Sequence, residues 1–354
     1  KRADIDPKLI DGIVMGECFT AMEGSLAARQ VSMRLGFSER SNACVVNQNC
    51  ASGMRALDIQ ANNILLGKED IGMVIGVESM TNAPYVLEKA RMGYRMGDSK
   101  IFDNMLHDGL IDELSGGHMG LTAENVAEKY GITREECDKI AVRSHNLACK
   151  AIDEGIFKDE IVPVVIKTKK GEKVITDDEH PIRGCTMETL AKLKPAFKKD
   201  GVITAANASG INDAAAAVIL MSWEECQELG KKPMAKLVTC VAEGVAPEVM
   251  GLGPAVAMPK ALKAAGLKWE DIDYFEVNEA FSAQVLGVER MLKEDYGYVV
   301  DWDKTNKFGS GIALGHPVGC TALRIIVTLV YEMIRSDYKY GMASLCVGGG
   351  PALA

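Results

Sequence analysis

Short apolar runs of strand length alternate with helix-length patterns along much of this chain. Ile10–Val14, Ala43–Val46 and Gly72–Gly76 read as strands, and the apolar spacing from Ala56 to Leu66 reads as a helix between the last two. Slid against itself, the sequence shows the same order a second time. Asn47-Gln48-Asn49-Cys50-Ala51-Ser52-Gly53-Met54-Arg55 lies over His316-Pro317-Val318-Gly319-Cys320-Thr321-Ala322-Leu323-Arg324. Each run leads into a helical pattern, Ala56–Leu66 in one case and Ile325–Ile334 in the other. In the same register Gly72–Gly76 lies over Gly341–Leu345, and in a slightly shorter one Ile10–Val14 lies over Ile272–Glu276. Such a duplication of strand, loop, helix and strand predicts two similar α/β halves with parallel sheets covered by helices. A pseudo-twofold axis between them would set Cys50 and His316 at equivalent strand-to-helix junctions.

Residues from about 80 to 205 have no counterpart in the second half. They include the polar helical stretch Thr122–Ile152, with a capping-type start at Thr122-Ala123-Glu124, and a Lys-rich hairpin pattern at Lys167–Lys173. The organisation predicted is a first half of residues 1–80 and 205–235, an inserted loop domain of 81–204, and a second half of 236–354. In the second half a strand at Ala235–Val241 and a helix at Pro254–Ala265 precede Ile272. Their counterparts would lie before residue 6, so about 30 residues carrying one strand and one helix are expected to be missing ahead of Lys1.

The composition narrows the function classes. A chain of 354 residues with 47% hydrophobic and 25% charged residues is an ordinary globular protein with a sizeable core. It has no uninterrupted apolar stretch of membrane-spanning length, and no signal peptide is expected from its opening residues. Its net charge of −9 gives no general attraction to nucleic acid or to anionic membranes, so a polyanionic ligand needs a local basic patch. Ten scattered cysteines without a CxxC pair point to a reduced, cytoplasmic protein. No cluster has metal-ligand spacing, and neither a metal nor a bound cofactor is expected.

Four motifs can carry chemistry. Cys50 follows a strand and precedes a helix, where the positive helix end favours a thiolate and small neighbours leave room for substrate. His316 sits among four glycines and a proline in Gly309–Gly319, with a side chain suited to act as base toward a thiol. Cys346 heads Cys346-Val347-Gly348-Gly349-Gly350, whose backbone N–H groups can converge on an oxyanion. Asn278 ends a strand and can hold a water or a carbonyl oxygen. Of the remaining histidines, His107, His145 and His180 read as solvated, while His118 stands among glycines beside Met119.

Together these motifs resemble those of the thiolases. The resemblance runs through Asn47–Leu57, Gly117–Glu135, Leu190–Ala217, Val277–Phe281 (VNEAF), Gly311–Cys320 (GIALGHPVGC) and Cys346–Gly350 (CVGGG), in family order over essentially the whole chain. It implies a five-layered αβαβα fold of two similar halves with an inserted loop domain. The implied reaction is the reversible Claisen condensation of two acetyl-CoA to acetoacetyl-CoA and CoA. By resemblance Cys50 is the acylated nucleophile, His316 activates it, and Cys346 moves the α-proton. Asn278 holds a water that binds the thioester oxygen together with His316, and the N–H groups of Cys50 and Gly348 form a second oxyanion hole. Arg183 matches a residue near the nucleotide, Ser209 one at the pantetheine chain, and His118 and Met119 the acyl pocket, with Ala280 and Phe281 beside it. Lys192, Lys194, Lys198 and Lys199 are candidates for the basic patch. CoA thioesters would be substrates rather than cofactors, and family members are dimers or dimers of dimers, so a homodimer or homotetramer is expected.

The chain departs from the family pattern at Phe308, where an Asn is usual, and in its last residues Pro351-Ala352-Leu353-Ala354. The family's first strand, expected at the centre of the first sheet, is also absent. Two other functions fit parts of the pattern. One is a degradative 3-ketoacyl-CoA thiolase with a broader pocket at Met119 and Phe281. The other is a non-catalytic acyl-CoA-binding or scaffold protein.

Overall fold

The computed structural model describes residues 2–354, which leaves Lys1 outside it. The first sheet is built from β1 (Gly12–Gly16), β2 (Asn42–Val46), β3 (Ile71–Ser79) and β4 (Asp213–Met221), in the order β4-β3-β1-β2. The first three are parallel and β4 runs antiparallel to β3. The second sheet uses β5 (Ala242–Gly244), β6 (Tyr274–Val277), β7 (Gly341–Cys346) and β8 (Pro351–Leu353), in the order β5-β8-β7-β6. Here β6 and β7 are parallel, and β8 is antiparallel to both of its neighbours. The duplication read from the sequence therefore recurs as topology. β1 matches β6, β3 matches β7 and β4 matches β8.

Helices α1 (Ala27–Leu35) and α2 (Ser52–Leu65) cover the two faces of the first sheet. Between the sheets, α2 packs against α7 (Val318–Ser336), and α7 touches both sheets. Their crossing is close: a Cβ at Gly53 would lie 2.9 Å from the backbone N of Leu323, so only glycine fits there. Pro254–Ala265 forms helix α5 and Ser282–Tyr296 helix α6, on the outer side of the second sheet. The result is the five-layered αβαβα arrangement, with the N-termini of α2 and α7 brought together in its middle layer.

Several expectations need correction. The predicted strand Ala235–Val241 is displaced to β5. Val241 exchanges both backbone hydrogen bonds with Ala354, and residues 235–238 are exposed. The strand expected at the centre of the first sheet corresponds to β5, and β5 lies at the edge of its sheet beside β8. By the same symmetry the equivalent place in the first half is the outer edge of β4.

The polar stretch 122–152 is two helices, α3 (Met119–Tyr130) and α4 (Arg134–Asp153). Gly131 at φ +60° ends the first, and a Thr133–Glu136 capping box starts the second. The cap of α3 is His118 rather than Thr122: its Nδ1 accepts from the Gly120 N–H at 3.0 Å. Glu124 instead accepts from the N–H groups of Val202 and Ile203 and anchors the loop toward Ser209.

The Lys-rich hairpin is present as strands Val164–Thr168 and Gly171–Ile175. His145 is buried rather than solvated. Its Nδ1 accepts from the Ile182 N–H at 3.2 Å, its Nε2 donates to the Ala206 carbonyl at 3.3 Å, and burial pushes its pKa down to about 4. His180 is half-buried, with Nδ1 2.8 Å from the Ala313 carbonyl oxygen.

Candidate active site

The loop from β2 into α2 sets the position of Cys50. Asn49 holds a left-handed φ of +46°, a conformation that asparagine tolerates better than most residues. Its N–H donates to Asn47 Oδ1 at 2.8 Å, and its carbonyl accepts from Ser52 Oγ at 2.7 Å and from Cys18 Sγ at 3.2 Å. The turn delivers the thiol of Cys50 to the start of α2. There the backbone N–H groups of Gly348 and of Cys50 itself favour a negative charge on its sulfur.

These donors favour a thiolate, but burial outweighs them and pushes the thiol up to about 11. The sequence-based expectation of a thiolate at the helix end is thus corrected. The resting group is a thiol, and its proton must go to a base.

His316 precedes α7 and is buried. Its Nδ1 lies 2.6 Å from Thr321 Oγ1, and that hydroxyl donates to the Pro317 carbonyl at 2.9 Å. The single hydroxyl proton is thereby used, so His316 Nδ1 carries the hydrogen and Nε2 keeps its lone pair. Burial, with the nearby Arg324 cation, pushes the imidazole down to about 4 and keeps it neutral. Val318, two residues on, belongs to the same small apolar cluster as Cys18, Phe19 and Cys50.

Cys346 ends β7 in the interior, and burial together with the neighbouring Cys50 raises its thiol well above the ordinary range. The following glycines turn back on themselves, with Gly349 at φ +88° and Gly350 at φ +104°. Gly348 is fixed from both sides: its carbonyl accepts from Asn49 Nδ2 at 3.2 Å, and a Cβ there would lie 2.6 Å from Met119 Cε. Asn278 follows β6 and is fully buried, with both side-chain amide atoms lacking a protein partner. Buried polar atoms rarely stay unpaired, so this amide is suited to hold a water or an oxyanion.

Around the thiols, the ring of His118 stacks on Phe197 at 4.7 Å between centroids, and Phe197 meets Phe281 edge-on at 6.1 Å. Met119, Ala280, Phe281 and Cys346 share one apolar cluster. Ser209 joins this wall, since its N–H donates to the Ala280 carbonyl at 3.0 Å. A cavity of about 310 Å³ opens beside Gly348, lined by Asn49, Met119, Gly349 and residues of the 107–113 loop.

The structure does not bring Arg183 to this group. Its exposed guanidinium is held by both oxygens of Asp153, at 2.9 and 3.1 Å. Lys198 is likewise paired, with Glu128.

Sequence reasoning missed Asn49, Thr321 and Glu78. Thr321 was recoverable because the duplication lays it over Ser52. Glu78 had a signal too, a lone acidic residue at the end of an apolar strand.

Two halves of one topology, each sending a helix N-terminus to a shared centre with two cysteines and a neutral histidine, define a thiol-based acyl-transfer fold. The chain belongs to the thiolase family: the family's N-terminal domain matches residues 1–224 and its C-terminal domain residues 231–354. An acetyl-CoA acetyltransferase of Syntrophomonas wolfei is 51% identical over 356 residues, covering 100% of this chain and 89% of that protein. One from Escherichia coli is 44% identical over 355 residues, again covering 100% and 89%. Among solved structures, an acetyl-CoA acetyltransferase from Syntrophomonas wolfei superposes with a TM-score of 0.99 at 64% identity, over 99% of this chain and 88% of that one. Human mitochondrial 3-ketoacyl-CoA thiolase gives a TM-score of 0.94 at 39% identity, over 99% and 88%.

Proposed function

We propose that this chain is an acetyl-CoA acetyltransferase that condenses two acetyl-CoA reversibly to acetoacetyl-CoA and CoA through an acetyl-Cys50 intermediate. The observation that carries this reading is the surrounding of Cys50: a thiol at a helix N-terminus beside the Gly348 backbone, with a second, buried thiol and a histidine whose Nδ1 is held by Thr321.

His316 Nε2 takes the Cys50 proton as sulfur attacks the thioester carbonyl. The tetrahedral oxyanion is held by the N–H groups of Cys50 and Gly348, and CoA leaves with a proton from the imidazolium. Cys346 passes its thiol proton to the now neutral His316 Nε2 and, as the resulting thiolate, removes the α-proton of the second acetyl-CoA. The enolate oxygen is held by His316 and by a water on Asn278. Its carbon attacks acetyl-Cys50, and collapse expels the Cys50 sulfur, which takes its proton back from the His316 imidazolium as acetoacetyl-CoA forms. Splitting the reaction at a covalent intermediate lets one site hold the two acyl groups in turn, which gives ping-pong kinetics.

His118, Met119, Ala280 and Phe281 line the acyl end, and Ser209 stands where the pantetheine arm would pass. Arg183 would have to leave Asp153 to reach the nucleotide, while Lys192, Lys194 and Lys199 have no ion-pair partner among the described residues and can supply positive charge. The test is intact mass after mixing with acetoacetyl-CoA. One added acetyl group, lost in Cys50→Ala, supports the reading; no adduct on folded protein favours the acyl-CoA-binding role.

A degradative 3-ketoacyl-CoA thiolase is the second reading, favoured by the 310 Å³ cavity and by the 3-ketoacyl-CoA thiolase neighbour. Faster thiolysis of longer 3-ketoacyl-CoA substrates than of acetoacetyl-CoA would decide for it.

We also infer the three-part division 1–80 with 205–235, 81–204, and 236–354, and an oligomer of two or four copies. Supporting the oligomer, Tyr85, Met92, Met96, Ile101 and Leu114 of the insertion are exposed, and β2 forms an edge of its sheet. Ten free cysteines fit a reducing, cytoplasmic setting. Among the described residues, no helix is long and apolar enough to cross a membrane.

A further inference from the structure

The duplication lays Gly319 over Cys50, so each stands at the N-terminus of an equivalent helix. At Cys50 that helix end meets a sulfur. At Gly319 it meets a carboxylate from the other half of the molecule. Glu78, next to last in β3, accepts from the Gly319 N–H at 2.7 Å on Oε2. The same oxygen accepts from the Cys18 N–H at 3.2 Å, and Oε1 accepts from the Phe19 N–H at 3.0 Å. α7 has no side-chain cap of its own, because its N-cap residue is Pro317. A Cβ at residue 319 would lie 2.8 Å from Glu17 Cα and 2.9 Å from Glu78 Oε2, so the carboxylate fits only against glycine. Burial raises the Glu78 carboxyl above its ordinary value, and the N–H donors of Phe19, Gly319 and Cys18 act against that rise in favour of the carboxylate. Its neighbour Glu17, raised to about 9 by burial and by the acids Glu23 and Glu78, stays neutral.

We propose that Glu78 is a positioning residue for the acetyl transfer proposed above, a cap that one half supplies to the helix behind His316 of the other and that sets His316 against Cys50. Its reach covers both partners. Through Gly319 it holds the start of α7, two residues beyond Pro317. Through Cys18 it holds the segment whose thiol donates to the Asn49 carbonyl, one residue before Cys50.

The role also has an electrostatic side that a plain brace lacks. Cys50 is faced by Glu78 from β3, by Cys18 from the loop after β1 and by Cys346 from the end of β7, and the Glu78 charge opposes its ionisation. Glu78 itself is faced by Glu17, Cys18, Cys50 and, from α7, Cys320. Removing the charge therefore eases thiolate formation at Cys50 while misplacing the base that acts on it. The two readouts move in opposite senses.

The experiment uses the full chain with Glu78→Gln and Glu78→Asp. It follows iodoacetamide alkylation of the Cys50 peptide against pH, with kcat and KM for thiolysis of acetoacetyl-CoA. For Glu78→Gln, kcat should fall roughly 10- to 100-fold, the range for losing a hydrogen bond to a charged group. KM should stay within about twofold and the alkylation midpoint should move to lower pH. Glu78→Asp should keep the parental midpoint and lose part of kcat.

A Glu78→Gln enzyme with parental kcat, or with reduced kcat and an unmoved midpoint, overturns the proposal. If Glu78→Gln does not fold, Glu78→Asp decides: reduced kcat at the parental midpoint supports the proposal, and parental kcat or a shifted midpoint overturns it. A parent chain that forms no acetyl adduct refutes the proposed reaction instead, while the midpoint still reports the action of Glu78 on Cys50.

Discussion

A half-buried thiol with a pKa near 11 cannot act as a nucleophile at neutral pH unless its proton is taken during attack, and a neutral imidazole with a free Nε2 can take it. The hydrogen bond from His316 Nδ1 to Thr321 decides which nitrogen is free. Thr321→Val should therefore release the tautomer and slow acetylation of Cys50 by about 10-fold while KM stays near the parental value, as read by single-turnover mass spectrometry. Cys346→Ala should leave acetyl-Cys50 formation intact and reduce condensation by at least about 100-fold, because only the second half-reaction needs the α-proton moved. If that variant also loses acylation, the division of roles between the two thiols is wrong. Cys50, His316, Cys346 and Asn278 were all legible from their strand-to-helix and glycine-rich settings. Asn49 was not, since what it does depends on a contact with Gly348 that no local pattern displays, and Thr321 was marked only by its match to Ser52 in the duplication.

Two elements carry the site, α2 and α7, and their close crossing fixes the spacing between the halves. Gly53→Ala would place a methyl group 2.9 Å from the Leu323 backbone and 3.2 Å from the Gly319 carbonyl. Neither backbone can move without shifting a helix N-terminus. The variant should lose about 1–3 kcal/mol of stability by denaturant unfolding, and activity should fall by more than the unfolded fraction explains. Unchanged activity in the folded fraction would show that the spacing tolerates a methyl group. At this scale the strand and helix assignments from β1 to α2 and from β6 to β7 followed from periodicity. The strand expected at Ala235–Val241 is found at Ala242–Gly244, where its ladder pairs with Pro351–Leu353.

Across the whole molecule, buried ionisable groups set the response to pH. Glu276, inside the second sheet, is raised to about 8 by burial, Glu17 to about 9 and Glu160 to about 7. Each binds a proton in the folded chain above pH 4.5, where the unfolded chain has released it. The stability they contribute is full below about 4.5 and is lost as pH rises through 7 to 9. His145 and His316, lowered to about 4, act in the opposite sense: their contribution is present above about 6.5 and is lost as pH falls toward 4. The two sets oppose each other between about 4.5 and 6.5, so the melting temperature should be flattest there and decline toward pH 9. Glu276→Gln should flatten that alkaline decline, and a variant that declines as steeply as the parent would show that Glu276 is ionised in the folded state.

By itself the sequence determined the alternation of strands and helices, the duplication, and the chemical identity of the two thiols, the imidazole and the amide, because periodicity and residue type are local properties of the chain. The tertiary structure alone decided that β5 is an edge strand, that Arg183 is tied to Asp153 and that His145 belongs to the core. It also decided that Cys50 rests as a thiol and that Glu78 caps a helix from across the pseudo-twofold. Each of these depends on which distant groups the fold brings together, and for His145, Cys50 and Glu78 burial also changes the cost of a charge and the choice of hydrogen-bond partner.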